Sequence, residues 1–239
     1  MDRPDSTGSI HLYTTIGSYV IIVLSIVLIR EELLNFRIGF VLLLLGALVS
    51  IVSALVSLRC LLNGRCRSNG STSLNWINLA LGAVPFAILL TKIIAASQYP
   101  ILHDVTTDNV NPPPLSTAML LREATDHTTA YDPSIWSLQE QAYPQIEPLM
   151  SSLPVPEVAQ RVRGFMQEND WKIVSSAQEN HLIEAIVTSP MFKFKDDIVV
   201  RLTEEADGTR VDVRSASRVG KSDLGANAAR VSALLNHLR

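Results

Sequence analysis

The chain has 239 residues and a formal net charge of −3, long enough for one ordinary domain plus an appendage or for two small ones. The charge is split: residues 1–99 carry seven Lys/Arg against four Asp/Glu, and residues 100–239 carry thirteen against nineteen. An acidic second half excludes a nucleic-acid surface, which needs clustered basic charge to displace counterions.

Ile10 to Ile29 is a run of twenty residues without a formal charge, enough to cross a hydrocarbon core of about 30 Å as a helix. Ile38–Leu58 and Leu74–Thr91, the latter continuing past Lys92 to Ser97, are further such runs. Apolarity on every face predicts a three-helix membrane anchor over residues 1–97, with helices at about 10–29, 38–58 and 74–97. Arg3 is offset by Asp2 and Asp5, and no small-residue cleavage site follows the first run, so it reads as a retained anchor.

Orientation is read from the basic residues near the helix ends. Arg3, Arg59, Arg65 and Arg67 fall on one side and Arg30, Arg37 and Lys92 on the other, and the segment after Lys92 has no Lys or Arg until Arg122. This predicts a bacterial inner-membrane protein with a cytoplasmic N-terminus and a periplasmic C-terminal domain. Gly46, Ser50, Ala54 and Ser57 form a small-residue ridge suited to close helix packing, within the bundle or against a partner. Pro85 should kink the third helix. Lys92 has no intramembrane acid to pair with, so transport by this chain alone is not expected. Cys60 and Cys66 lie at the predicted cytoplasmic end of the second helix without nearby histidines; two reduced, incidental thiols are expected, not a zinc site.

Residues 98–140 read as an extended Pro-rich connector, with Pro112–Pro114 imposing a polyproline path and only Thr117–Ala124 able to form a helical turn. His103, Asp104, Thr106, Thr107 and Asp108 form a polar cluster. Without a spacing that converges them on a metal, they suit a turn-rich segment laid over the following domain.

Residues 141–239 predict an α+β domain. Pro156 and Glu157 suit a helix start, and Val158, Val162, Phe165 and Met166 repeat at helical spacing. Strands follow at Trp171–Ala177, Leu182–Thr188, Asp197–Thr203 and Thr209–Ser217, with a turn at Glu179-Asn180 and a hairpin at Asp207-Gly208. Ser222 or Asp223 should cap a last helix with Leu224, Ala228, Val231, Leu235 and Leu238 on one stripe. Helix, four strands, helix gives a two-layer antiparallel sheet with both helices on one face. The other face would carry Asp197, Arg201, Asp212 and Arg214 unless the connector covers it.

The candidate site is the strand–loop–helix around Asp197, Arg201, Arg214, Arg218, Lys221 and Asp223. Ser215 to Ser222 is a near miss for a phosphate-binding loop: it ends in Gly-Lys-Ser, but Ser215 stands where the first glycine is required, so no nucleotide is expected. The helix start beside Arg218 and Lys221 could still take a simpler anion such as a lipid phosphate. Asp196 and Asp197 point to opposite sheet faces and do not make an acid/base pair; one of them should accept from Arg214 or Arg218. Neither a hydrolase nucleophile motif nor a metal-hydrolase motif is present, no cofactor is implied, and His127, His181 and His237 read as isolated surface or boundary residues.

The segments PILHDVTTD (100–108), FKDDIVVRL (194–202) and VDVRSASRVGKSDLGANAARV (211–231) resemble the domain-of-unknown-function 1499 family over about residues 98–239. That resemblance implies a small domain, often membrane-anchored or exported, found in bacteria and plastids, and supplies no reaction; the three-helix anchor lies outside it. Three functions follow as expectations. The first is a non-catalytic accessory or scaffold protein held among membrane lipids and protein partners. The alternative is a binding module for an anionic lipid or small ligand, and the third is an unrecognised enzyme using Asp197 and Asp223.

Overall fold

The computed structural model describes residues 7–64, 69–175 and 181–239, and its contacts divide the chain after Gln98 into two compact units. The first holds α1 (Thr7–Arg30), α2 (Phe36–Leu62) and α3 (Asn69–Ala96), all three long and apolar enough to cross a membrane. The ridge on α2 is used within the bundle. Gly46, Ser50, Ala54 and Ser57 are buried there, and a Cβ on Gly46 would stand 2.7 Å from Ile22 Cγ1 of α1. On the other side, a Cβ on Gly82 of α3 would stand 2.7 Å from the Ser50 carbonyl oxygen. Polar groups between the helices bond to one another: Asn78 Nδ2 donates to Ser57 Oγ at 2.8 Å and to Ser53 O at 3.1 Å, and Ser53 Oγ donates to His11 O at 2.9 Å. In an apolar environment such bonds replace those water would otherwise supply.

Cys60 corrects an expectation. It is disulfide-bonded, so the reduced thiol expected at that position is not present, and no free cysteine is found among the described residues; Cys66 lies outside them.

The second unit is built on an antiparallel sheet with strand order β1-β6-β5-β4-β3 and β2 also paired to β6. The strands are β1 (Asp104–Thr106), β2 (Leu149–Ser151), β3 (Lys172–Ser175), β4 (Leu182–Thr188), β5 (Lys195–Glu205) and β6 (Gly208–Ser217). Alternation decides the faces. Ile198, Val200 and Leu202 of β5, with Ile183, Ala185, Val211 and Val213, form the main core against Val158, Val162 and Met166 of α6 (Val155–Glu168) and Val231, Leu234, Leu235 and Leu238 of α7 (Ala226–Leu238). This is the anticipated α+β layering, enlarged by two strands that come from outside the predicted four. The Glu179-Asn180 turn lies outside the described residues.

Residues 99–142, which take in most of the expected connector, are folded onto the sheet. They supply β1, the short α4 (Thr117–Leu120) and α5 (Trp136–Ala142), and they cover the face opposite α6 and α7. There Leu115 and Ala118 pack on Val199 and Ala216, and the buried Glu184 of β4 accepts from the Thr117 and Ala118 amides, each at 2.9 Å. The side chain of Gln139 acts as a strand edge for β1: its Nε2 donates to Thr106 O at 2.7 Å and its Oε1 accepts from Thr106 N at 3.0 Å.

Two local expectations shift. The hairpin turn is Ala206-Asp207, because Gly208 already pairs with Glu205. Gly208 has φ +135, and a Cβ there would collide with the Ser151 backbone, so the crossing of β2 requires glycine. Leu224 lies outside the buried stripe: α7 begins at Ala226 and Leu224 is exposed.

Candidate functional site

The sequence places Asp197, Arg201, Asp212 and Arg214 on one sheet face by alternation, and the structure sets them under residues 104–131. Asp197 is fully buried between two guanidiniums. Arg218 Nη2 donates to it at 2.7 Å and Arg122 Nε at 2.8 Å. Further donors of those arginines reach carbonyls of the covering segment: Arg218 Nη1 to Leu121 O and Arg122 Nη1 to His127 O, each at 2.7 Å. The expected pairing of Asp197 with Arg218 is present.

Arg214 pairs elsewhere. Its Nε and Nη2 donate to the two oxygens of Asp104 at 3.0 and 2.7 Å, Nη2 donates also to Thr129 O at 2.9 Å, and the guanidinium sits 5.5 Å from the centre of the Tyr131 ring. The planar fork meets a carboxylate bidentately, the geometry in which arginine pairs most strongly. Burial and the Asp104 charge push the Tyr131 hydroxyl up to about 12. Arg201 Nη2 donates to Asp108 at 3.0 Å and to Asp212 at 2.9 Å, and Arg210 joins the same two carboxylates. Burial alone would raise the Asp108 carboxyl, but amide hydrogen bonds from Asn111 and Val110 and the charges of Arg201 and Arg210 hold it below its ordinary value.

Asp223, one of the candidate site residues, pairs with no arginine among the described residues. Its carboxylate accepts from Gly225 N at 2.8 Å and Asn227 N at 2.7 Å, capping α7, and burial raises it above the usual aspartate value. The near-miss phosphate loop is likewise occupied. Ser217 N and Arg218 N donate to His103 O and Lys195 O, and Ser215 Oγ donates to Asn227 Oδ1 at 2.6 Å. An anion arriving at α7 would meet a carboxylate already seated. Lys221 alone of the candidate cations is exposed, and it has no partner among the described residues. Asp196, on the opposite face from Asp197, pairs with Arg230 of α7 at 2.8 Å.

Several members of this network escape a reading by sequence. Arg122, Asp104 and Asp108 are single charges in segments without period, and their partners lie 75 to 110 residues away. Glu184 sits in the legible β4, but its partners Thr117 and Ala118 lie 66 to 67 residues away in the covering segment. His127 is not isolated. Its ring meets His103 edge-on at 4.5 Å, its Nδ1 is buried without a partner, and burial and His103 hold it below the ordinary histidine value. Among the described residues no group of three or more His, Cys, Asp or Glu side chains converges as a metal site. A cleft of about 400 Å³ lies at the sheet edge, lined by Asp108, Trp136, Glu140, Tyr143, Glu147 and Arg210 among others; Asp197, Arg214, Arg218 and Asp223 take no part in it.

No curated protein matches the chain. The three motif segments that suggested a family fall on β1, on β5 and on β6–α7, the elements that carry the arginine–aspartate pairs, and a family profile spans them. The chain belongs to the family described as a protein of unknown function, DUF1499, whose profile matches residues 104–238.

Proposed function

We propose that the chain is a non-catalytic accessory protein, anchored by α1–α3 and presenting its α+β unit as a rigid scaffold within a larger membrane complex. The observation that carries this reading is that the arginines of the candidate site are already engaged. Arg214 and Arg218 are 2% and 5% exposed, and their donors are taken by Asp104 and carbonyls of the chain's own covering segment and by Asp197 of β5. A recognition site for an anion needs donors left free for the ligand, and here they fasten residues 104–131 to the sheet instead. The alternative, an anionic lipid or small-ligand site, is left with Lys221 as its exposed cation. The test is isolation of the full chain from its native membranes in mild detergent. A stoichiometric protein partner is expected, retained by an Arg214→Lys variant. A chain that comes out alone, and that binds phosphatidylglycerol in an Arg214- and Arg218-dependent way, overturns the reading.

For location we propose the bacterial inner membrane with the α+β unit in the periplasm, which the basic residues at the helix ends support. A specific observation favours a second reading. A disulfide at Cys60 belongs in an oxidising compartment, and it would put the end of α2 outside and the α+β unit, one crossing later, inside.

A further inference from the structure

The α+β unit begins with an apolar patch that its core does not use. Tyr99, Ile101 and Leu224 are 46%, 70% and 53% exposed. Backbone and ring contacts bring their two segments together: Asp223 N donates to Leu102 O at 2.8 Å, and Ser222 Oγ donates to Pro100 O at 3.2 Å. Tyr99 lies so closely over Gly225 that a Cβ there would stand 2.6 Å from its ring. Leu224 is held at φ 55, a left-handed conformation that leucine adopts rarely, and its side chain projects from the loop instead of joining the α7 stripe. The one carboxylate in either segment, Asp223, is turned inward onto the α7 amides, and the exposed cation Lys221 stands beside the patch. The surface is therefore a phenol, two aliphatic side chains and an ammonium, with no outward negative charge.

Chain length decides what such a surface meets. The apolar span of α3, Ser71–Ala96, has 26 residues and is about 39 Å long, close to the full thickness of a bilayer with its headgroups. Tyr99 follows three residues later, so even an extended chain keeps it within about 11 Å of Ala96. Aromatic side chains with a polar tip, such as tyrosine, concentrate at that depth, and lysine stems reach the phosphates there.

We propose that Tyr99, Ile101 and Leu224, flanked by Lys221, form a foot that rests in the headgroup–acyl boundary of the bilayer crossed by α1–α3. The occupant is the lipid surface itself, and the proposal holds for either orientation of the chain. It stands apart from the accessory reading, since a foot on the lipid is compatible with a partner or with none.

The test uses the full chain reconstituted into phosphatidylcholine vesicles, with and without phosphatidylglycerol. No free thiol competes among the described residues, so a nitroxide can be placed through Ile101→Cys or Leu224→Cys, with Val110→Cys as an exposed reference. The expected result is a shift from relaxation dominated by an aqueous nickel chelate at 110 to relaxation dominated by oxygen at 101 and 224. Lys221→Glu should move both labels toward water in the phosphatidylglycerol vesicles and leave them unchanged in phosphatidylcholine alone. Chelate-dominated relaxation at either 101 or 224 overturns the foot, and a Lys221→Glu variant without effect in the anionic vesicles overturns the part given to Lys221.

Discussion

Arg214 and Asp104 meet across 110 residues of sequence, both buried, and that fixes what their removal should do. Deleting one partner strands the other's charge under the covering segment, so Arg214→Ala or Asp104→Ala should each destabilise the full chain by about 3–5 kcal/mol, as expected for breaking a buried pair. The double change should cost much less than the sum, and a thermal-unfolding cycle measures the coupling. Additive losses would show that the pair does not act as a unit. His127 gives a pH prediction. Its folded value is depressed by burial and by His103, with Arg122 lowering it further and Asp126 opposing. Below about pH 6.5 the unfolded chain then takes up a proton that the folded chain refuses, and stability falls as the pH falls. The melting temperature should drop between pH 7.5 and 5.5, and His127→Gln should flatten that slope; equal slopes would assign the acid sensitivity elsewhere. Alternation puts the charges of β5 and β6 on one face and offers Arg214 or Arg218 as the partner of an adjacent aspartate, and Arg218 takes Asp197, but it does not find Asp104 as the partner of Arg214. Alternation reports which face a side chain takes and carries no information about which distant segment comes to lie on it.

At the scale of elements, the long ones are legible. The three apolar helices, α6, β4, β5, β6 and α7 each repeat often enough to show their period, and their observed ends lie within about five residues of the predicted ones. β1 and β2 have three residues each, too few for a period, and both exist because β6 offers them an edge. Helix packing is the element-scale prediction for the anchor. Gly82→Leu should lower the melting temperature of the full chain in detergent, because the Ser50 carbonyl and Ala54 already occupy the space. Gly17→Ala, where a Cβ would meet nothing within 4 Å, should be neutral or slightly stabilising. If both variants melt alike, the α2–α3 contact does not hold the bundle. Gly208→Ala should loosen β2, since it both strains a positive φ and drives a methyl into the Ser151 backbone. Faster amide exchange at residues 149–151, with β4 and β5 unaffected, is the expected readout.

For the whole molecule the open choice is which side of the membrane carries the α+β unit, and a cysteine at the exposed Asp207 turn decides it. An impermeant maleimide should label Asp207→Cys in intact spheroplasts if the basic-residue reading holds. Labelling only in inverted vesicles would support the orientation favoured by the Cys60 disulfide. The arrangement of β6 bears also on the order in which this protein can be made. β6 holds β1 through residues 214–216 and β2 through 209–211, and the arginine that clamps Asp104 lies on the same strand. A ribosome therefore delivers the anchor and roughly a hundred further residues before the strand that gathers them leaves the exit tunnel. Throughout that interval the segment from β1 to β5 is tethered to a membrane with its edges and buried carboxylates open. Contacts so distant in sequence slow folding. A nascent chain arrested before Gly208 should therefore be sensitive to protease across residues 99–175, and one extended past α7 should be resistant.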